Sequence, residues 1–140
     1  GYGFVTTALD MVSRVKAGKA FMTLPPDEEP VAPALLRAGL TRVAALATNG
    51  KLLVFDLSEM REMPRGRGVI VMGLDPKEKL LAVGLAAPDR VVVRGTNRVG
   101  REIDVALEGE ALARHALHRA RKGSRIAQKI RATGFGPGTA

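Results

Sequence analysis

The chain has 140 residues, and its 22 lysines and arginines against 14 aspartates and glutamates give it a net charge of +8 at pH 7. This length fits one domain that can bury a core, and the basic excess indicates a polyanionic partner. Because the sequence has no cysteine, disulfides, thiolate metal sites and cysteine nucleophiles are excluded.

No apolar stretch approaches the roughly 18 uncharged residues that a membrane-spanning helix needs, and the first residues lack the sections of a signal peptide. We therefore expect a soluble protein of the reducing cytoplasm, with no membrane partner. The opening "GYGFVTT" is strand-like from its first residue, so we interpret the chain as part of a longer polypeptide.

Short β-like runs follow one another along the chain. Turn signals such as "TNG" (48–50) and "APD" (87–89) separate them, as is typical of strands joined by tight connections. The clearest predicted strands are "RVAALA" (42–47), "LLAVGLA" (80–86), "RVVVRG" (90–95) and "IDVAL" (103–107).

An internal repeat organises these strands. A shift of 48 residues superimposes "FVTTALDMVSRVKAGKAFMTL" on "LLVFDLSEMREMPRGRGVIVM" without a gap, so that Gly18 meets Gly66 and Phe21 meets Val69. A weaker third copy runs over residues 103–130. Copies of about 50 residues with several short strands each are typical of propeller-like blades. We predict an all-β fold, a partial ring of about three blades over residues 1–130.

Three segments depart from this pattern. Residues 25–40 are proline-rich and acidic, which predicts a connector. Good helix formers over 109–121 predict one short helix. The glycine-rich end of the chain predicts a flexible C-terminal tail over 131–140.

These motifs resemble a known family. The stretches "GYGFVTT", "SRVKAGKAFMTLP", "GKLLVFDLSEM…RGRG" and "RARKGSRI" occur in the order and at the intervals of the C-terminal domain of the A subunit of bacterial topoisomerase IV, over residues 1 to about 130. The resemblance implies a β-pinwheel, a propeller-like ring whose basic outer rim bends duplex DNA. It also implies that the catalytic tyrosine, the metal site and the ATPase lie on other domains or subunits.

The resemblance therefore implies a non-catalytic, nucleoid-associated module that steers which DNA segments the parent enzyme passes. We expect no cofactor in this segment, with ATP and Mg²⁺ used elsewhere in the parent enzyme. The expected partners are double-stranded DNA, the rest of the A subunit, and the ATPase B subunit. The related C-terminal domain of gyrase remains an alternative, although its glutamine-arginine-glycine box is absent from these residues. A structural or protein-interaction module is a second alternative.

A basic-glycine cluster precedes a strand in each copy, and this arrangement predicts the DNA contacts. Lysine and arginine neutralise phosphates without regard to base sequence, and glycine lets the backbone turn sharply and approach another backbone. The predicted contacts are Arg14, Lys16, Lys19, Arg61, Arg65, Arg67, Arg119, Arg121, Lys122 and Arg125. Arg94, Arg98 and Arg101 could extend this rim.

Other chemistries have little support in the sequence. His115 and His118 have a spacing that could hold a metal, but no further ligand completes a set, so we predict solvated helix residues and no metal site. Tyr2 is predicted to pack in a core or at a sheet edge rather than to act as a nucleophile. The absence of tryptophan and the single tyrosine disfavour a reader of unpaired bases.

Overall fold

The computed structural model describes residues 2–6, 31, 33–36, 38–63, 66, 68–74, 77–126, 130–136 and 139. Among these residues, a 3-10 turn (Leu57–Glu59) and one helix, α1 (Gly109–Ala113), accompany the strands. In chain order, the strands among these residues are β1 (Tyr2–Gly3), β2 (Arg42–Ala47), β3 (Lys51–Asp56), β4 (Val69–Ile70), β5 (Leu80–Ala86), β6 (Arg90–Thr96), β7 (Glu102–Glu108), β8 (Ser124–Arg125) and β9 (Arg131–Phe135).

Antiparallel pairing joins these strands into three sheets. The orders of hydrogen-bonded neighbours are β1-β4, β5-β2-β3-β8 and β7-β6-β9. The four clearest predicted strands coincide with β2, β5, β6 and β7 within one residue at each end. The prediction of an all-β fold with little helix and about three propeller-like units is confirmed.

Both faces of the two middle strands, β2 and β3, are buried, which explains why Val43–Ala47 and Leu52–Phe55 are apolar without a break. Val43, Ala45 and Leu53 belong to one core cluster, whereas Ala44 and Val54 belong to a second cluster shared with β6 and β7. Because successive side chains of a strand point to opposite faces, neighbouring residues of "RVAALA" serve different cores. A continuous apolar run is the expected pattern for such a strand.

The second and third copies of the repeat fold alike. In one, β2 pairs with β3 on one side and with β5 on the other; in the next, β6 pairs with β7 and with β9. The register shifts at the same point in both, between Leu46 and Ala47 in β2 and between Arg94 and Gly95 in β6. An irregularity kept at one position indicates a single structural unit used twice.

Each later copy adds a short strand to the sheet of the copy before it, and this addition is called the strand exchange. β4 of the second copy pairs with β1 of the first copy, and β8 of the third copy pairs with β3 of the second. The same pair of backbone hydrogen bonds accompanies each strand exchange. Val5 binds Arg61 O and Met63 N through its N–H and C=O, and Val54 binds His115 O and Leu117 N in the same way.

The predicted helix is present but much shorter than 109–121. It ends at Ala113, with Leu112 as its buried residue. Beyond it, His115 O and Leu117 N are hydrogen-bonded to Val54. These groups are therefore taken up by the contact between copies and cannot continue the i to i−4 ladder of a helix.

The prediction of a flexible tail is wrong for the part of it that the structure describes. β9 pairs with β6, Gly136 N donates to Val92 O, and Val92 N donates to Thr139 Oγ1. Thr139 is only 1% exposed. The glycine content reflects close packing, since a Cβ on Gly136 would lie 2.6 Å from Val92 Cγ1.

Two predictions concern segments that are described only in part. The first basic-glycine cluster, within residues 13–24, lies outside the described residues. Of the connector predicted at 25–40, residues 31, 33–36 and 38–40 are described, and these form neither helix nor strand.

Candidate nucleic-acid interface

Two glycines shape the exchanged strands. Gly68 and Gly123 immediately precede β4 and β8, and both have positive φ, +86° and +74°. A Cβ on Gly123 would lie 2.6 Å from Leu52 O, and one on Gly68 would overlap Gly3 O. The two clusters therefore end in the same way, with the glycine backbone pressed against the strand of the preceding copy, which only glycine permits.

The predicted contact residues divide into three groups. Five lie outside the described residues: Arg14, Lys16, Lys19, Arg65 and Arg67. Four are exposed: Arg61, Arg121, Lys122 and Arg125. Arg119 is half-buried and takes part in the packing between copies.

The exposed arginines are available to a polyanion. Within the described part of the chain, Arg61, Arg121 and Arg125 form no ion pair. Arg121 lies in the third cluster, and Arg125 lies in β8 opposite Lys51 of β3. Lys51 itself is engaged by Glu78, with Nζ 3.4 Å from Oε1. The strand exchange thus presents Arg121 and Arg125 on the surface without a local carboxylate to neutralise them.

Arg119 has a structural task that the sequence did not reveal. Its Nη1 donates to Ile70 O at 2.6 Å, and its backbone N donates to Glu59 Oε1 at 3.2 Å. His118 Nδ1 lies 3.5 Å from the same Glu59 oxygen. Arg119 therefore ties the third cluster to β4, and it is less available to DNA than predicted. No local motif marks Glu59, because its partners lie about 60 residues further along the chain.

The arginines considered as extensions of the rim behave differently from one another. Arg94 pairs with Asp104 at 2.9 Å and with Glu102 at 3.3 Å. The hydrogen bond and the charge of Asp104 raise the pKa of Arg94 above its ordinary value, so its guanidinium is charged but already occupied. Arg98 and Arg101 are exposed at the turn between β6 and β7.

His115 is buried, which corrects the prediction of a solvated helix residue. It is 3% exposed, and its Nδ1 lies 2.9 Å from Ser124 Oγ and 3.3 Å from Leu52 O. Since a carbonyl oxygen can only accept, Nδ1 carries the proton. His115 therefore links the third copy to β3 and β8. His118 is exposed, as predicted.

Stability is expected to fall as the pH drops below 6.5 because of His115. Burial, the largest cause, and the charge of Arg114 lower its pKa from the ordinary 6.5, against the hydrogen bond to Leu52. Well above pH 6.5 the imidazole is neutral in both states, and full stability is present. As the pH falls, the unfolded chain takes up the proton first and unfolding becomes easier. Denaturation midpoints at half-unit pH steps measure this, above the range where carboxylates titrate, about pH 4.

The matched variants are His115→Gln and His118→Gln. The first is expected to remove most of the pH dependence in this window, whatever it does to the absolute stability, and the second to keep it. An unchanged slope in His115→Gln would show that other groups cause the dependence.

The remaining sequence predictions concern single features. Tyr2 lies in β1 and is 44% exposed, consistent with a place at a sheet edge. Among the described residues, no three His, Cys, Asp or Glu side chains are grouped closely enough to hold a metal ion. None of the helices in the described ranges has the length and apolar character needed to cross a membrane.

Comparisons with known proteins show which family the chain resembles. Residues 43–86 match the family model described as the DNA gyrase C-terminal domain, beta-propeller. The chain is 32% identical over 136 residues to the A subunit of DNA topoisomerase 4 from Pseudomonas aeruginosa, covering 90% of this chain and 17% of that protein. The solved structure of the E. coli ParC C-terminal domain aligns with a TM-score of 0.78 at 25% identity, covering 94% of this chain and 54% of that one. This chain belongs to the family of C-terminal domains found in the A subunits of gyrase and topoisomerase IV.

Other relatives agree with this assignment. The A subunit of DNA topoisomerase 4 from Neisseria gonorrhoeae is 29% identical over 105 residues, covering 71% of this chain and 14% of that protein. A crystal structure of the C-terminal domain of DNA topoisomerase IV has the same fold, with a TM-score of 0.69 at 22% identity. The chain therefore spans about half of the solved E. coli family member and less than a fifth of the full-length subunits it matches.

Proposed function

We propose that this member of the family binds and bends duplex DNA as a non-catalytic module of a topoisomerase IV A subunit. The observation that carries the proposal is the equivalence of the two glycine-led strands, β4 and β8. Each adds to the preceding copy through a glycine in the same conformation. In the sequence, basic residues precede both glycines: Arg67 precedes Gly68, and Arg121 and Lys122 precede Gly123. The proposal is that these residues contact the same duplex.

Bending follows from this recurrence. Phosphate contacts give affinity that is strong at low salt and indifferent to base sequence. A smooth bend of 40–90° over 20–30 base pairs costs on the order of 1–6 kcal/mol. A single cluster offsets little of that cost, whereas clusters on successive sheets hold the duplex at several points along a curve.

The parent enzyme supplies the rest of the proposed activity. In this proposal, DNA held on the rim is steered toward the catalytic core, which the ATPase B subunit forms with the rest of the A subunit, in the bacterial cytoplasm at the nucleoid. ATP and Mg²⁺ act there and not in this segment. The relatives carry the name topoisomerase 4, which favours decatenation and relaxation of supercoils over the wrapping role of gyrase.

The test is the affinity of the purified chain for two unrelated duplexes across a salt series. We expect equal affinities and equal, steep slopes of log K against log salt, about 0.9 for each phosphate neutralised. Replacing both Arg121 and Arg125 with glutamine is expected to reduce the slope by about 1.8 on both duplexes, because two phosphate contacts are lost.

The matched control is Arg90→Gln. Arg90 is also exposed, but it is paired with Glu108 at 3.4 Å, so its replacement is expected to leave the slope unchanged. Absence of DNA binding by the folded chain would reject the proposal. Together with a stable, DNA-independent complex with the catalytic core, that result would establish the interaction-module alternative.

A further inference from the structure

The β6–β7 hairpin is longer than its counterpart, the β2–β3 hairpin of the preceding copy. Val43 pairs with Phe55, 12 positions further along the chain, whereas Val91 pairs with Leu107, 16 positions further along. The third copy therefore has two more residue pairs before its turn. Since a strand advances about 3.3 Å per residue, the β6–β7 turn reaches about 7 Å further than the β2–β3 turn does.

Asn97 holds this turn in one shape. Its N–H donates to Arg101 O at 3.0 Å, and its C=O accepts from Gly100 N at 3.0 Å. Its side-chain Oδ1 accepts from Val99 N at 3.1 Å and from Arg101 N at 3.0 Å. Asparagine often organises turns through such bonds to nearby backbone groups. The side chains at the tip are therefore presented from a braced backbone.

Val99 lies at the tip and is 84% exposed, more than any other large apolar side chain among the described residues. The shorter β2–β3 turn is different in character. Asn49 and Lys51 at that turn both contact Glu78, through Asn49 Nδ2 and Lys51 Nζ. The longer hairpin thus ends in an open apolar tip, whereas its counterpart ends in polar groups that a carboxylate engages.

Unpaired positive charge surrounds the tip. Arg98 and Arg101 are exposed in the turn, and Arg131 is exposed opposite the last residue of β6. Within the part of the chain that the structure describes, none of these three arginines forms an ion pair. Glu102, which follows Arg101, pairs with Arg94 at 3.3 Å. An anionic partner therefore meets little competition at this tip.

The dimensions of the hairpin match the major groove of a DNA duplex. Neighbouring strands lie about 4.8 Å apart, and a two-stranded ribbon fits the major groove, about 12 Å wide and 8.5 Å deep, but not the minor groove, about 6 Å wide. The extra reach of about 7 Å is close to the depth of the major groove. The apolar group on the floor of that groove is the 5-methyl of thymine.

We propose, on the basis of the DNA binding proposed above, that the β6–β7 turn enters the major groove of the bound duplex. Val99 packs against thymine methyl groups there, while Arg98 and Arg101 contact the phosphates on either side. The exposed Arg125 lies opposite Lys51, beside the corresponding turn of the preceding copy. The turn adds a contact with base edges to a surface that otherwise contacts phosphates.

The first test compares a short duplex of A·T pairs with the same duplex carrying uracil in place of thymine. Uracil lacks only the 5-methyl in the major groove. We expect the full 140-residue chain to bind the uracil duplex about fourfold more weakly, the effect of leaving one methyl group unburied. Duplexes of equal A·T content offer the tip equal numbers of methyl groups, so they are still expected to bind equally.

Val99→Ser is the variant that assigns this preference to the tip. It keeps the backbone N–H that Asn97 holds, and it is expected to bind the two duplexes equally. The matched control is Leu35→Ser, at a leucine that is 73% exposed and far from the turn in sequence, and this variant is expected to retain the preference. Thermal unfolding with an unchanged midpoint verifies that both variants are folded.

The second test concerns the arginines of the turn. Replacing both Arg98 and Arg101 with glutamine is expected to reduce the slope of log K against log salt by about 1.8, since two phosphate contacts are lost. Arg90→Gln, whose native arginine is paired with Glu108, again serves as the control with an unchanged slope.

Equal binding of the thymine and uracil duplexes by the unaltered chain, a preference that survives in Val99→Ser, or an unchanged slope in the double arginine variant would each overturn this inference. In all three cases the steep salt dependence of the unaltered chain would remain, and the DNA-binding proposal would stand. Absence of binding to any duplex by the folded chain would reject both.

Discussion

Deletion of residues 131–140 is expected to lower the free energy of unfolding by about 3–5 kcal/mol, comparable with removal of a large core side chain. The deletion removes β9 and leaves β6 without its partner on that side. It also removes Phe135, whose ring lies across Gly84 of β5, since a Cβ on Gly84 would be 3.0 Å from Phe135 Cδ2. The segment therefore joins the third sheet to the middle one.

Chemical denaturation followed by circular dichroism measures the effect. Since a domain of this size is stable by only about 5–15 kcal/mol, we expect a much lower midpoint and early hydrogen exchange in β6. A pair of substitutions at Thr139 tests the contribution of one hydroxyl group in the same segment. Thr139→Ala leaves the amide of Val92, which is buried, without its partner, at a cost of roughly 1–3 kcal/mol, whereas Thr139→Ser keeps the hydroxyl. An unchanged midpoint after deletion would show that the segment does not hold the sheets together.

Replacement of Gly123 by alanine is expected to be the most destabilising point mutation that we predict. The residue has φ +74°, a conformation that costs an L-residue roughly 1–2 kcal/mol. In addition, the new Cβ would lie 2.6 Å from Leu52 O and 3.0 Å from Met72 Cε. Relief of such crowding requires backbone movement, which costs about 1–3 kcal/mol more. β8 and the contact that it makes with β3 should loosen as a result.

Gly100→Ala is the matched control for this prediction. Gly100 has φ +81°, but nothing lies within 4 Å of a Cβ built there, so only the conformational cost applies. The difference in unfolding free energy between the two variants therefore measures how tightly the backbone at Gly123, next to β8, is pressed against β3. Equal destabilisation by the two substitutions would mean that the close approach at Gly123 is relieved without cost.

Much of the fold could be predicted because the signals are local. The apolar runs of β2 and β5, bounded by turn residues, matched the observed strands. The strand exchange could not be predicted, since β4 and β8 have two residues each and their partners are far away in sequence. For the same reason the 48-residue shift, which pairs Phe4 with Leu52, differs by one residue from the structural equivalence in the first strand. Gly3 and Leu52 hold equivalent places opposite Val69 and Ser124.

The candidate site was predicted by charge, and charge alone does not reveal a side chain's partners. Arg121 and Arg125 are exposed, as a contact residue must be. Arg119 has the same charge and a neighbouring position, yet it is bound to Ile70 O in another copy. His115 likewise fits an amphipathic helix in sequence, but it is buried against Leu52 O. Only the contacts between copies distinguish these residues.

The exchange of strands also bears on how the chain is made. Lys51 and Leu52 leave the ribosome before the strand that covers their edge, because that strand contains Arg125. The middle sheet therefore stays one strand short until Arg125 has been synthesised, with an open edge of the kind that favours aggregation. Completion of a blade must wait for the next copy, so folding from the N-terminus onward always lags by one repeat.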